Sequence, residues 1–272
     1  MLSEKSKAIA LSDLLISQRG RGSLRTMLYR KRNANHNNQR RYYRLYKPRS
    51  KRKLPLIIGL HGLGDTALRF AYYTGLHNVV GRRAAVLYPE ATKPTNPGVK
   101  RGWNAKFCCG SGWLNNIDDA GFIWSLVDKL ADEGKIDKRR VFVTGFSNGG
   151  FFAQRLAAEY PKKIKKAAVV AGTIGTAKTR LRPKSAVPIL LIHGKQDKTV
   201  LFKGGINSND PDFDWLPFKD TVAAWQAING QSAEVKTVEF DNAGHAWPGW
   251  RLGQTWRRKP LASKLIIDFF LN

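Results

Sequence analysis

Gly145-Phe146-Ser147-Asn148-Gly149 is the stretch that decides how this chain is read. It has the spacing G-x-S-x-G. The apolar run Val141-Phe142-Val143-Thr144 leads into it, and a helix-forming run from Phe151 to Tyr160 leaves it. A strand that turns sharply into a helix through a serine is a nucleophile elbow, which holds the hydroxyl exposed at the sheet edge. The turn strains the serine backbone, and a side chain at either flanking glycine would crowd the neighbouring strand and helix.

On both sides of the elbow, strand and helix patterns alternate. Arg41 to Tyr46 alternates as a surface strand ended by Pro48, and Leu54 to Leu60 is the continuous apolar run of a buried strand. His61-Gly62-Leu63-Gly64 leaves it as a loop, a helix is expected from near Asp65, and Ala84 to Tyr88 is the next strand. Residues 91–115, rich in Gly, Pro, Asn and Trp, read as a long loop. Ile117 to Glu133 carries helical spacing at Phe122, Leu126, Val127 and Leu130, with Asp118 and Asp119 in its first turn. After the elbow helix come strands at 167–170 and 188–192 and a polar, aromatic loop over 201–216. A helix from Phe218 to Ile228, a strand from Val235 to Phe240 and a helix from Leu261 to Leu271 complete the chain. The alternation implies an α/β fold, a mostly parallel central sheet with helices on both faces.

A chain of 272 residues can bury one large core. Its 42% hydrophobic and 25% charged residues are those of a globular protein, and no apolar run approaches the roughly 20 residues that span a bilayer. The two cysteines, Cys108 and Cys109, are adjacent, which excludes a disulfide framework. They are read as free thiols or as a vicinal disulfide. Formal net charge is +27, and residues 1–53 alone hold 16 Lys+Arg against 2 acids. Residues 1–40 are therefore expected to form a basic, flexible extension ahead of a domain at 41–272. That domain is basic too, which favours an anionic polymer or surface as partner. Residues 8–16 make a poor signal-peptide core, because Ser12 and Asp13 interrupt them and no Ala-x-Ala-like site follows.

A serine hydroxyl is hardly ionised at neutral pH and needs a base within hydrogen-bond reach. After an elbow of this kind the partners follow in the order serine, acid, histidine. Of five histidines, only His245 lies late enough, on a Gly-flanked loop after the last expected strand, to leave a strand and helix between it and an acid. His61 is read as bracing its own loop. Asp197, on the turn Gly194-Lys195-Gln196-Asp197, falls at a strand C-terminal end on the same edge as Ser147. It is the candidate for orienting His245, with Asp210, Asp212, Asp214 and Asp241 as rivals. An oxyanion needs two preorganised donors. The backbone N–H groups of Asn148 and of Leu63, in the loop after strand 54–60, are assigned to it. Trp103, Trp113, Trp215, Trp247 and Trp250 all fall in expected loops, and Trp103, Trp247 and Trp250 are assigned to substrate binding. This set calls for no cofactor and no metal.

The chain resembles the polyhydroxybutyrate depolymerase-like and feruloyl esterase family of α/β hydrolases. The matching pieces are Arg44-Leu45-Tyr46, Leu60-His61-Gly62, Tyr88-Pro89-Glu90, Trp103-Asn104 with Cys108-Cys109-Gly110, and Asp118 to Ile123. They continue with Arg140 to Gly145 and Ser147-Asn148-Gly149-Gly150, Ala171-Gly172-Thr173, His193-Gly194 with Asp197, and Gly244 to Gly249. Gln231 stands where relatives often carry a further cysteine. The resemblance implies the α/β-hydrolase fold without a large cap domain, and cleavage of carboxylic esters through an acyl-enzyme, with Ser147, Asp197 and His245 as the triad. The substrates it implies are feruloyl, acetylxylan or hydroxybutyrate-oligomer esters, small or polymeric. Two other readings stay open: a peptidase on the same fold, and a cationic binder of nucleic acid or another polymer with a vestigial triad. Relatives are mostly secreted, so an extracellular or periplasmic location is implied. Without a clear leader in the sequence, a cytoplasmic location stays open. A monomer without a membrane span is expected.

Overall fold

The computed structural model describes residues 30–208, 210–249 and 261–272. Its strands are β1 (Arg32–His36), β2 (Gln39–Tyr46), β3 (Leu54–Leu60), β4 (Ala85–Pro89), β5 (Ile136–Phe146), β6 (Lys166–Val170), β7 (Ile189–Gly194), β8 (Gly205–Asn207), β9 (Asp210–Trp215) and β10 (Val235–Phe240). Its helices are α1 (Ala67–Thr74), α2 (Leu76–Val80), α3 (Ser111–Leu114), α4 (Asp119–Asp132), α5 (Asn148–Glu159), α6 (Phe218–Asn229) and α7 (Leu261–Leu271). Eight strands form one sheet in the order β1-β2-β4-β3-β5-β6-β7-β10. β1–β2 and β2–β4 are antiparallel, and every other pair is parallel. The C-terminal ends of β3, β5, β6, β7 and β10 therefore share one edge.

The apolar runs explain the layering. Along β3, Leu56, Ile58 and Leu60 point to one face and Ile57 to the other, and all are fully buried. The first face packs under α4, α5 and α6 through Phe122, Phe151, Leu156 and Trp225. The second packs under α1, α2 and α7 through Phe70, Leu76, Ile266 and Phe270. A strand covered on both faces has no polar side to show, which is why its sequence runs apolar without alternation.

Three local expectations are corrected. The sheet begins ahead of residue 41, the expected start of the domain: β1 pairs with β2 from Arg32↔Tyr43 to His36↔Gln39, so residues 32–36 join it. Its turn, Asn37-Asn38, has φ of 47° and 59°, a conformation asparagine tolerates. The strand itself, Arg-Asn-Ala-Asn-His, carries no apolar signal. The expected flexibility of the extension falls, for residues 1–29, outside the described residues. The expected loop at 201–216 contains the antiparallel β8–β9 hairpin, and the expected loop at 91–115 contains α3. Asp, Asn, Gly and Pro disfavour strands on their own. Here tertiary anchors hold the hairpin: Asn207 Nδ2 donates to the Thr199 carbonyl at 3.3 Å, and the Trp215 ring lies 5.1 Å from that of Phe151.

Two buried histidines tie the fold to pH. His61 Nε2 accepts from the Ala91 N–H at 3.1 Å, which leaves Nδ1–H to donate to the Gly62 carbonyl at 2.8 Å. His77 Nδ1 lies 3.1 Å from the Tyr88 hydroxyl. Burial pushes each from 6.5 down to about 4. A base whose folded value is depressed stays neutral in the native state while the unfolded chain takes up a proton. The stability it contributes is complete above about pH 6.5 and is lost as pH falls towards 4. The shifts correspond to about 3 kcal/mol per histidine. Burial raises Asp65 and Asp119 and so opposes this loss in the carboxylate range, leaving the upper part of the window to the histidines. Calorimetry from pH 7 to pH 4 should show Tm falling by roughly 10–20 °C. A flat Tm across that window would contradict the neutral buried state.

Candidate active site

The elbow forms where β5 ends and α5 begins. Ser147 has φ 54° and ψ −123°, a backbone that L-residues rarely adopt. Its N–H donates to the Val170 carbonyl at 2.9 Å, which pins the turn to β6. The flanking glycines are steric necessities. A Cβ on Gly145 would overlap the Gly149 carbonyl, and one on Gly149 would overlap the carbonyls of Leu60 and His61 at the end of β3.

Asp197 lies on the turn after β7. Its Oδ1 accepts the N–H groups of Thr199 at 2.8 Å and Val200 at 2.9 Å. Its Oδ2 receives His245 Nδ1 at 2.8 Å and lies 3.3 Å from His193 Nε2. Burial raises the carboxyl's pKa, but the hydrogen bonds from His193 and His245 outweigh it and hold the group well below the usual carboxylate range. The two loops can meet because residue 194 is glycine: a Cβ there would overlap the Ala243 carbonyl. Lys195 N–H donates to the Phe240 carbonyl and Gln196 N–H to that of Ala243, which welds the loops together. The His245 ring then lies 4.8 Å from the ring of Phe146, the residue before the serine.

The turn after β3 abuts the serine, since a Cβ on Gly62 would sit 3.6 Å from Ser147 Cβ. Gly64 N–H donates to the Arg101 carbonyl at 2.7 Å and Asp65 N–H to that of Gly62 at 3.2 Å, which fixes the peptide of Leu63 between them. Asn148 opens α5, and a helix start leaves its first N–H groups without an intrahelical acceptor.

Two working groups were not legible in the sequence. One is the Asn148 side chain, whose Oδ1 accepts the Trp103 N–H at 2.7 Å and whose Nδ2 donates to the Trp103 carbonyl at 3.2 Å. It clamps the 103–109 loop over the elbow. The other is His193, the second imidazole on Asp197, which also lies 2.9 Å from the Val200 carbonyl. Its four-residue spacing from Asp197 was the available signal. Cys108 and Cys109, at the end of this loop, are joined as a vicinal disulfide. Of the rival acids, Asp241 pairs with Lys195 at 2.8 Å on the surface, while Asp212 and Asp214 lie in β9.

The tryptophan assignments are corrected. Trp103 is 0% and Trp247 1% exposed, so neither presents surface to a ligand. Trp103 stacks on Phe152 and donates its indole N–H to the His61 carbonyl at 3.0 Å. Trp247 meets Phe70 edge-on and donates to Ser263 Oγ at 3.0 Å. An indole whose N–H finds an acceptor can be sealed in a core at no polar cost. Trp250 lies outside the described residues. The exposed apolar side chains near these loops are instead Trp113 at 37% and Leu114 at 58% on α3, and Ile206 at 60% on β8. Trp113 meets Phe213 of β9 at 6.0 Å, so α3 and the hairpin share one rim. Among the described residues, no group of three or more His, Cys, Asp or Glu side chains could hold a metal ion, and no helix is long and apolar enough to cross a membrane.

Comparisons with known proteins bear on the family and the fold. Residues 41–203, more than half of the chain, match the family described as esterase PHB depolymerase. The putative esterase NocK of Nocardia uniformis subsp. tsuyamanensis is 32% identical over 64% of this chain and 49% of its own length. An acetylxylan esterase of Coprinopsis cinerea is 33% identical over 47% of this chain and 34% of its own. The chain thus spans half or less of the length of these two relatives. In fold it is similar to the S-formylglutathione hydrolase FrmB of Staphylococcus aureus, with a TM-score of 0.59 over 90% of this chain and 96% of that one, at 13% identity.

Proposed function

The chain belongs to the esterase PHB depolymerase family, and from that premise we propose that it is a serine carboxylesterase working through an acyl-enzyme. The observation that carries the reading is the 2.8 Å bond between Asp197 and His245, whose ring lies 4.8 Å from that of Phe146, the residue before a serine with φ 54° at the end of β5. Asp197 fixes His245 with its proton on Nδ1, leaving Nε2 to take the proton of Ser147 as Oγ attacks the ester carbonyl. The N–H groups of Leu63 and Asn148 receive the oxyanion. His245 then protonates the leaving alkoxide, and water, activated by the same imidazole, releases the acid.

The substrates we propose are feruloyl, acetylxylan or hydroxybutyrate-oligomer esters. The rim of Trp113, Leu114 and Ile206 supports an acyl group or polymer segment with an apolar face. Replacing Trp113 by alanine is expected to raise KM for methyl ferulate about tenfold while leaving p-nitrophenyl acetate nearly unaffected, since acetate is too small to reach the rim. A vicinal disulfide supports an extracellular or periplasmic location, because disulfides persist in oxidising compartments. The deciding experiment pairs a panel of acetyl, feruloyl and hydroxybutyryl esters and peptides with fluorophosphonate labelling mapped by mass spectrometry. Ester turnover with the label on Ser147 is expected. Peptide cleavage exceeding ester cleavage, or a label elsewhere, would overturn the reading.

A further inference from the structure

A cleft of about 350 Å³ lies beyond the C-terminal end of α5, lined by Lys106, Arg180, Arg182 and Lys184 together with Glu159 and Tyr160. We propose that it docks an acidic polysaccharide carrying uronate carboxylates. All four cations are exposed, and among the described residues none of them is in an ion pair. Gathering like charges in one concavity costs electrostatic energy that an anionic ligand offsets. The carbonyls at the end of α5 favour nearby cations, but a helix terminus asks for no such number.

The walls are fixed in advance. Lys184 N–H donates to the Ala158 carbonyl at 3.1 Å, Leu181 N–H to that of Ile174 at 2.9 Å, and Lys106 N–H to Asn104 Oδ1 at 3.1 Å. Glu159 selects among anions. Its carboxylate, held by Arg155 at 3.1 Å, accepts hydrogen bonds but donates none. A polyphosphate presents only acceptors to it and is repelled, whereas a uronic acid offers carboxylates to the cations and hydroxyls to Glu159. The elbow opens α5 and the cleft closes it, so twelve residues of helix separate the two by about 18 Å. A polymer seated there leaves the catalytic edge free for an ester substituent on the same or a neighbouring chain. The link to catalysis rests on the esterase reading, but the binding itself does not.

De-esterified polygalacturonate is the probe. The variant R180Q/R182Q/K184Q should bind it about tenfold more weakly than wild type at low ionic strength, with an unchanged near-ultraviolet circular dichroism spectrum. The variant K51Q/R52Q/K53Q, which removes the same charge from the β2–β3 turn, should bind within about twofold of wild type. Equal weakening by both variants would overturn the site in favour of a diffuse field. Tighter cleft-dependent binding of a single-stranded DNA oligomer or of anionic vesicles than of polygalacturonate would overturn the ligand class. Loss of the esterase reading would leave these binding results standing, so the two failures are distinguishable.

Discussion

Replacing Ser147 by alanine is expected to lower kcat on p-nitrophenyl acetate on the order of 10⁶-fold, with little change in KM. The serine oxygen is the atom that becomes acylated, and no other hydroxyl is presented by the elbow. Its neighbours do not depend on it: the turn is held by the Ser147 N–H on Val170 and by the contact of Gly149 with the end of β3, both of which alanine keeps. The variant should therefore fold with a wild-type Tm, and residual turnover should reflect the oxyanion donors alone. Turnover near the wild-type level would mean that the nucleophile lies elsewhere.

Asp197→Asn is expected to cost about 10⁴-fold in kcat. The reason is the partition of its four partners. Oδ1 accepts two backbone N–H groups, so the amide must keep its carbonyl oxygen on that side and turn its NH₂ towards His193 and His245. His245 Nδ1 then becomes an acceptor, its proton moves to Nε2, and the imidazole can no longer take the proton of Ser147. A general base lost through the wrong tautomer leaves shape intact, so substrate binding should hold while kcat collapses. An NMR spectrum of His245 showing the proton still on Nδ1 in this variant would contradict the account.

The triad candidates were legible because each follows an apolar run and lies within three residues of a glycine: Ser147 between Gly145 and Gly149, Asp197 after His193-Gly194, and His245 after Gly244. Tight turns at strand ends write themselves into short stretches of chain. The tryptophans were not legible. Trp103 sits in a Gly- and Asn-rich segment that reads as surface, yet its loop folds back under the Asn148 clamp and buries the ring. Asp119 reads as a helix first-turn acid. It is in fact sealed from solvent, with Arg41 of β2 at 2.6 Å and the Asn104 N–H at 2.8 Å, and burial raises its pKa against that pairing. β1 escaped because a strand of Asn, Ala, Arg and His has no hydrophobic period, and its pairing partner supplies the order.

What the sequence determined by itself is the alternation of strands and helices, the two-faced burial of β3 and the elbow, because periodicity and glycine sterics act over a few residues. Only the tertiary structure decided that Asp197 and His245, 48 residues apart, share a hydrogen bond, that Trp103 and Trp247 are core, and that cations from two separate loops converge beyond α5. Loops carry no period, and their paths follow from which buried donors and carbonyls they must satisfy once the sheet has closed.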